Sequence, residues 1–140
     1  MTEVTCCEAM AYAEAQGKRL PTEQEWEFAV REGSAYKVSS VGSPPERGAG
    51  PFSTDERVDD KTEQGIRGLC TNVSEWTADG PVESPPHGSC ENPAFARGGY
   101  YNAYRYDCFF RNKWKRSTHK KTIGFRCVLK VNDDKHLKGR

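Results

Sequence analysis

Apolar residues first recur at helical spacing. Cys6, Met10 and Ala13 fall on one face with Gly17, and Thr5 followed by Glu8 has the S/T-x-x-E spacing of a capping box, which predicts a helix over about 6–16. Gly17 ends that helix, Pro21 blocks its continuation, and Thr22 with Glu25 forms a second capping box. A second helix is expected over 23–32 with Gly33 as its stop. Trp26, Ala29 and Val30 form its buried stripe, while Glu23, Gln24, Glu27 and Arg31 face water. The pattern then lapses, and residues 34–64, rich in Gly, Pro, Ser and charge, read as a long loop. From Gly65 the period becomes two: Val73, Glu75 and Thr77 alternate with Ser74 and Trp76 as in a short strand. Residues 78–94, with Pro81, Pro85, Pro86 and Pro93, are again loop-like. The clearest strand pattern comes last, with Ile123, Phe125, Cys127, Leu129 and Val131 alternating with Gly124, Arg126, Val128 and Lys130. A polar tail follows over 132–140. Two helices before short strands and long loops indicate an α+β chain, organised as one domain over 1–140.

Composition narrows this picture. A chain of 140 residues holds one core, and with 35% apolar residues that core must be lean, so the three Trp, six Tyr and six Phe are expected to supply much of it. No apolar run approaches the ~18–20 residues that span a bilayer, and no signal-peptide pattern opens the chain, so the expectation is no membrane partner and, as written, a cytoplasmic location. The net charge of +1 conceals a split: residues 1–93 hold 8 Lys/Arg against 17 Asp/Glu, and residues 94–140 hold 13 against 3. Either the two parts neutralise each other on folding or the second presents a basic surface. None of the six cysteines shows C-x-x-C spacing and there is no His cluster, which argues against zinc. With Cys6 and Cys7 adjacent at a helix start, mostly free thiols in a reducing compartment are expected.

Three stretches resemble one family. They are Gly17-Lys-Arg-Leu-Pro-Thr-Glu-Gln-Glu-Trp-Glu-Phe28, then Gly65-Ile-Arg-Gly-Leu-Cys-Thr-Asn-Val-Ser-Glu-Trp-Thr77, then Arg97-Gly98-Gly99 leading to Ile123-Gly-Phe-Arg-Cys-Val128. In this order they are similar to the formylglycine-generating enzymes and sulfatase-modifying factors. The resemblance implies a C-type-lectin-like fold, with two helices packed on short twisted antiparallel sheets and long loops. Enzymes of that family carry two copper-binding cysteines in the segment after the Gly-Gly pair, a role suited to soft thiolates. Here that segment holds only Cys108, in a place resembling a structural cysteine of the family, so no copper is expected and no catalytic residue is assigned. A distant Cys70 or Cys90 as second ligand is the route by which a rearranged copper oxidase remains an alternative. The family's ordered insertion with its metal site has no recognisable match within 34–64.

The second stretch resembles a calcium loop, which implies a structural calcium held by Asn72, the Val73 carbonyl and Glu75, hard oxygen donors of the kind calcium prefers. Thr71 stands where the family usually has Gly, and the alternative is a turn held by Asn72 and Glu75 through hydrogen bonds alone. The richest chemistry lies between Tyr100 and Lys121, where aromatics mix with Asn, Arg and Lys and where residues 100–114 contain no Val, Ile, Leu or Thr. That mixture suits a binding surface better than a core strand. We therefore expect a non-catalytic module that presents Tyr101, Asn102, Tyr104, Tyr106, Phe110, Asn112 and Trp114 to a ligand, with a protein as the partner and at least half of the segment's aromatics facing solvent. The resemblance implies a buried Phe109 and a structural Arg111. The Tyr/Asn/Asp/Phe content of 100–112 also resembles the hypervariable segment of retroelement-diversified members of the same fold. In another alternative, Lys113, Lys115, Arg116, Lys120 and Lys121 contact nucleic acid or an acidic partner.

Overall fold

The computed structural model describes residues 1–32, 50–53, 60–81, 89–101 and 108–131. The expected loop over 34–64 and the tail over 132–140 therefore lie largely or wholly outside the described residues. The element order is α1 (Cys6–Ala15), β1 (Lys18–Arg19), α2 (Glu23–Glu32), β2 (Ser74–Trp76), β3 (Pro93–Arg97), β4 (Arg111–Lys115), β5 (Ile123–Gly124) and β6 (Val128–Leu129). Both helices begin as their sequences dictate. Thr5 Oγ1 accepts from the Glu8 amide while the Glu8 carboxylate accepts from the Thr5 amide, and Thr22 and Glu25 make the same exchange. Gly17, at φ +66°, supplies the left-handed residue that ends the first helical segment. The Arg19 guanidinium grips the Glu25 carboxylate, and these bonds hold its pKa down to about 2.

Four strands form one sheet in the order β4-β3-β2-β5, and β1 pairs with β6 in a separate two-stranded sheet. β2–β3 and β3–β4 are antiparallel, whereas β2–β5 is parallel, a departure from the expected antiparallel sheets. Side chains of β2 and β3 serve two cores. On one face Trp76, Ala94 and Ala96 meet Cys6, Ala9 and Ala13 of α1, together with Leu20 and Ile123. The small alanines on both sides let helix and sheet approach closely. Toward the other face Glu75 and Arg97 meet α2, whose Trp26 and Val30 pack with Leu69, Cys70 and Cys108. Because both faces are covered, Ser74, Glu75 and Trp76 are all buried and the expected burial alternation of this strand is absent.

Two expectations fail here for identifiable reasons. The single strand expected over 123–131 is split between the two sheets. Arg126 is turned onto Glu75, and Leu129 and Val131 are 69% and 81% exposed, so the alternation in sequence does not describe one buried face. Residues 93–94, read as loop because of Pro93, start β3 instead. Proline is tolerated because it sits at the first position of the strand, and Ala94 and Ala96 give no β signal of their own.

The charge split resolves into contacts. Arg97, Arg111, Lys115 and Arg126 from the basic part reach back to Glu23, Glu27, Glu91 and Glu75 of the acidic part. Arg116 is fully buried, with one guanidinium nitrogen 3.3 Å from the Ala78 carbonyl, and so is no surface phosphate contact.

Candidate functional site

The site is built from the turn at residues 70–72 and the segment that follows Gly98-Gly99. The turn is set by a buried carboxylate that sequence reasoning missed. Asp60, 2% exposed, accepts from the Cys70 amide at 3.1 Å, the Thr71 amide at 2.8 Å and the Thr71 hydroxyl at 2.6 Å. Thr71 thus uses the side chain that a glycine would lack. Asn72 then pairs with the Phe52 backbone through both ends of its amide, at 2.9 and 3.0 Å, and its carbonyl accepts from the Tyr101 amide at 2.8 Å.

Gly98 directs the chain out of β3. Its φ of +88° belongs to the left-handed region, and a Cβ there would strike the Leu69 carbonyl and the Trp26 ring, so only glycine fits. The segment leaves the sheet here and returns at Phe110, whose carbonyl accepts from the Gly98 amide. A disulfide joins Cys108 to Cys70, with both cysteines buried. Tyr101 and Cys108 are therefore both fastened to the 70–72 turn. Asn102, Tyr104 and Tyr106 lie between them, outside the described residues. Tyr101 is half-buried and Phe110 is exposed, its ring edge-on to Tyr100 with centroids 6.1 Å apart. Asn112 and Trp114 are half-buried on β4, and the Lys120 ammonium lies 4.1 Å from the Trp114 ring centroid. Phe109 is not core as expected. It is 37% exposed, with the Arg31 guanidinium over its ring, because the buried position at this point is taken by Cys108. Arg111 stacks on Phe95 at 3.8 Å and pairs with Glu23.

The cysteine expectation is also overturned. Cys7 is bonded to Cys90, and Cys70 to Cys108, leaving Cys6 and Cys127 as free thiols. Sequence separations of 83 and 38 hide partners that the fold brings together. Cys6 is wholly buried and points its thiol at the Thr77 carbonyl; burial pushes its pKa up to about 11, against the opposing pull of Arg116.

Asn72, Val73 and Glu75 do line one cavity of about 380 Å³, together with Arg67, Phe125 and Arg126. Their donors do not fit a calcium ion in this arrangement. Glu75 accepts from Arg126 at 2.5 and 2.6 Å and from the Trp26 indole at 2.9 Å, so a guanidinium already occupies the carboxylate that a cation would need. The Asn72 amide is committed to Phe52. Among the described residues no group of three or more His, Cys, Asp or Glu is placed to hold a metal. Burial works against the Arg126 charge, and Glu75 more than offsets it, raising its pKa above the ordinary arginine value.

Residues 1–131 match the sulfatase-modifying factor enzyme 1-like domain. The chain is 34% identical to the inactive C-alpha-formylglycine-generating enzyme 2 of Bos taurus over 56% of its own length and 32% of that protein. It is 27% identical to the formylglycine-generating enzyme of Mus musculus, covering 86% of this chain and 41% of the relative. The serine/threonine-protein kinase pkn1 of Chlamydia pneumoniae is 30% identical across 92% of this chain, which corresponds to 24% of the kinase. The chain thus spans well under half the length of each of these curated relatives.

Replacing Glu75 with Leu leaves the part-buried Arg126 without its carboxylate and the Trp26 indole without its acceptor, so unfolding free energy in urea should fall by about 2–4 kcal/mol. Arg31→Ala, at the exposed Glu27 pair, should cost under about 1 kcal/mol. Equal losses would show that Glu75 holds nothing together.

Proposed function

The chain belongs to the sulfatase-modifying factor enzyme 1-like domain family, and from that membership we propose that it is a non-catalytic binding module. One observation carries the reading: the only cysteine of the segment after Gly98-Gly99, Cys108, is closed in a buried disulfide with Cys70. Cys70 does come to Cys108, as a rearranged copper site would need, but as a sulfur partner and with no open face for metal or substrate. The free thiols are elsewhere, Cys6 inside the core under α1 and Cys127 just before β6. An inactive formylglycine-generating relative supports the same conclusion. The two disulfides favour an oxidising compartment over the reducing one expected from sequence.

The finer reading is a lectin-like scaffold that displays the segment from Tyr101 to Trp114 to a protein. What supports it is the stem, whose ends are fixed to one turn, and the exposed or half-exposed rings of Tyr100, Tyr101, Phe109, Phe110 and Trp114. Tyr101, Asn102, Tyr104, Tyr106, Phe110, Asn112 and Trp114 form the proposed contact set. A structural calcium at Asn72, Val73 and Glu75 would require Arg126 to release Glu75 and is not part of this proposal.

Incubation with a Cys-containing peptide, copper and oxygen should give no oxygen uptake and no aldehyde. Turnover that disappears in Cys108→Ser would make the domain an oxidase. In affinity capture from source-organism extract, Tyr104→Ala/Tyr106→Ala should lose the protein retained by the unmodified domain, a weakening of about 30-fold or more, with its melting temperature unchanged. Identical retention would remove the aromatic segment from the site. If residues 100–112 are diversified, a reverse transcriptase gene and a near-identical template repeat should lie beside this gene, and a locus holding neither refutes that version.

A further inference from the structure

The four-stranded sheet ends differently on its two sides. At β5 the N-terminus covers the edge: Thr2 bridges Gly124, and the Glu3 amide bonds the Lys120 carbonyl. At β4 nothing comparable occurs among the described residues. The bonds from the Gly98 amide to the Phe110 carbonyl and from the Arg116 amide to the Asn92 carbonyl fix which residues of β4 face β3. They are the even-numbered ones, Asn112 and Trp114. The backbone groups of Arg111, Lys113 and Lys115 therefore point away from the sheet. Of these, only the Lys115 carbonyl has a backbone partner among the described residues, the Thr118 amide of the following turn. Five groups remain along one line without a backbone partner among the described residues: the amides of all three residues and the carbonyls of Arg111 and Lys113.

We propose that this edge accepts an acidic, extended segment of a partner protein as a fifth, antiparallel strand. Three observations converge on that occupant. The open groups are spaced as a strand requires. Each of the three residues that bear them carries an exposed cationic side chain, and the shared pleat puts all three on one face of the sheet. Lys113 has no ion-pair partner among the described residues, and Lys115 meets only the exposed Glu91. A second copy of this chain is the poorer occupant, since pairing β4 with itself sets cations directly against cations. The same charges that repel a copy select an acidic strand. In antiparallel pairing, acidic residues at every second position lie directly opposite Arg111, Lys113 and Lys115, exchange both backbone bonds with Arg111 and Lys113, and accept from the Lys115 amide. The intervening residues pass along the other face beside Asn112 and Trp114. This inference deepens the binding-module reading and rests on it, giving the partner's chemistry and its mode of attachment.

The probe is a capped eight-residue peptide alternating Glu and Val, titrated into the uniformly labelled full chain and followed by amide NMR and hydrogen exchange. Saturable shifts and slowed exchange should centre on Arg111, Lys113 and Lys115, and the affinity should fall as salt rises. N-methylation of the Glu residues should weaken binding about tenfold or more, while N-methylation of the Val residues should leave it unchanged. A Lys/Val peptide should not bind. Lys113→Pro, which removes only an outward amide, should reproduce the loss. Binding indifferent to Glu N-methylation, no binding at millimolar peptide, tighter binding of single-stranded DNA, or self-association through β4 would each overturn the proposal. Because the peptide carries its own controls, a misfolded Lys113→Pro variant leaves the result decisive. The Tyr104/Tyr106 experiment stands whatever happens at β4.

Discussion

The buried Glu75 carboxylate is the joint on which the rest of the structure depends. It sits on β2 and accepts from the α2 indole of Trp26 and from the Arg126 guanidinium, which also donates to the Arg67 carbonyl. Four separate stretches of chain are thereby held at one point. The removal of two charges from water is offset only when every lone pair finds a donor, and here both oxygens do. Such a joint contributes specificity of arrangement more than net stability, since it leaves one acceptable way for α2, β2 and the chain after β5 to meet. The segment after Gly98-Gly99 inherits its starting direction from this corner, because Trp26 also walls in Gly98.

What was legible in the sequence was local. Thr5 with Glu8 and Thr22 with Glu25 act over three residues, so both helix starts could be read directly. Trp26 and Val30 declared their face through helical spacing. What was not legible depends on distant partners. The alternation from Ile123 to Val131 looked like one strand, yet Arg126 is drawn inward by a carboxylate 51 residues earlier. β3 was hidden because alanines chosen for close packing carry no strand signal. Asp60 looked like one more charge in a polar stretch, and nothing near it in sequence announces that it holds the turn of Cys70 and Thr71. The cysteines show the same limit: pairing is a property of the fold, and adjacency in sequence misdirected the expectation.

The site follows this division. Its residue types could be read from the sequence, whereas its mounting could not. Phe109 was expected inside and is outside, since Cys108 takes the buried position; Arg116, a surface contact in the basic-surface alternative, is inside. The pronounced charge split has two consequences that sequence alone leaves undivided. Most of the paired cations are spent on joining the two parts of the chain. Those of β4 retain exposure at a sheet margin, where charge governs which strands may approach.

The 70–72 turn has a consequence for how this chain can vary. Tyr101 hangs from Asn72 and Cys108 from Cys70, so both ends of the intervening segment are fixed within three consecutive residues of the scaffold. With the ends fixed, the entropy of closing the segment grows only slowly with its length, by about 0.6 kcal/mol for each doubling. Insertions between 101 and 108 are thus thermodynamically cheap relative to any change in the turn itself. The Asn72 bond and the disulfide thus fix where the segment starts and ends, while closure entropy sets only a weak limit on its length.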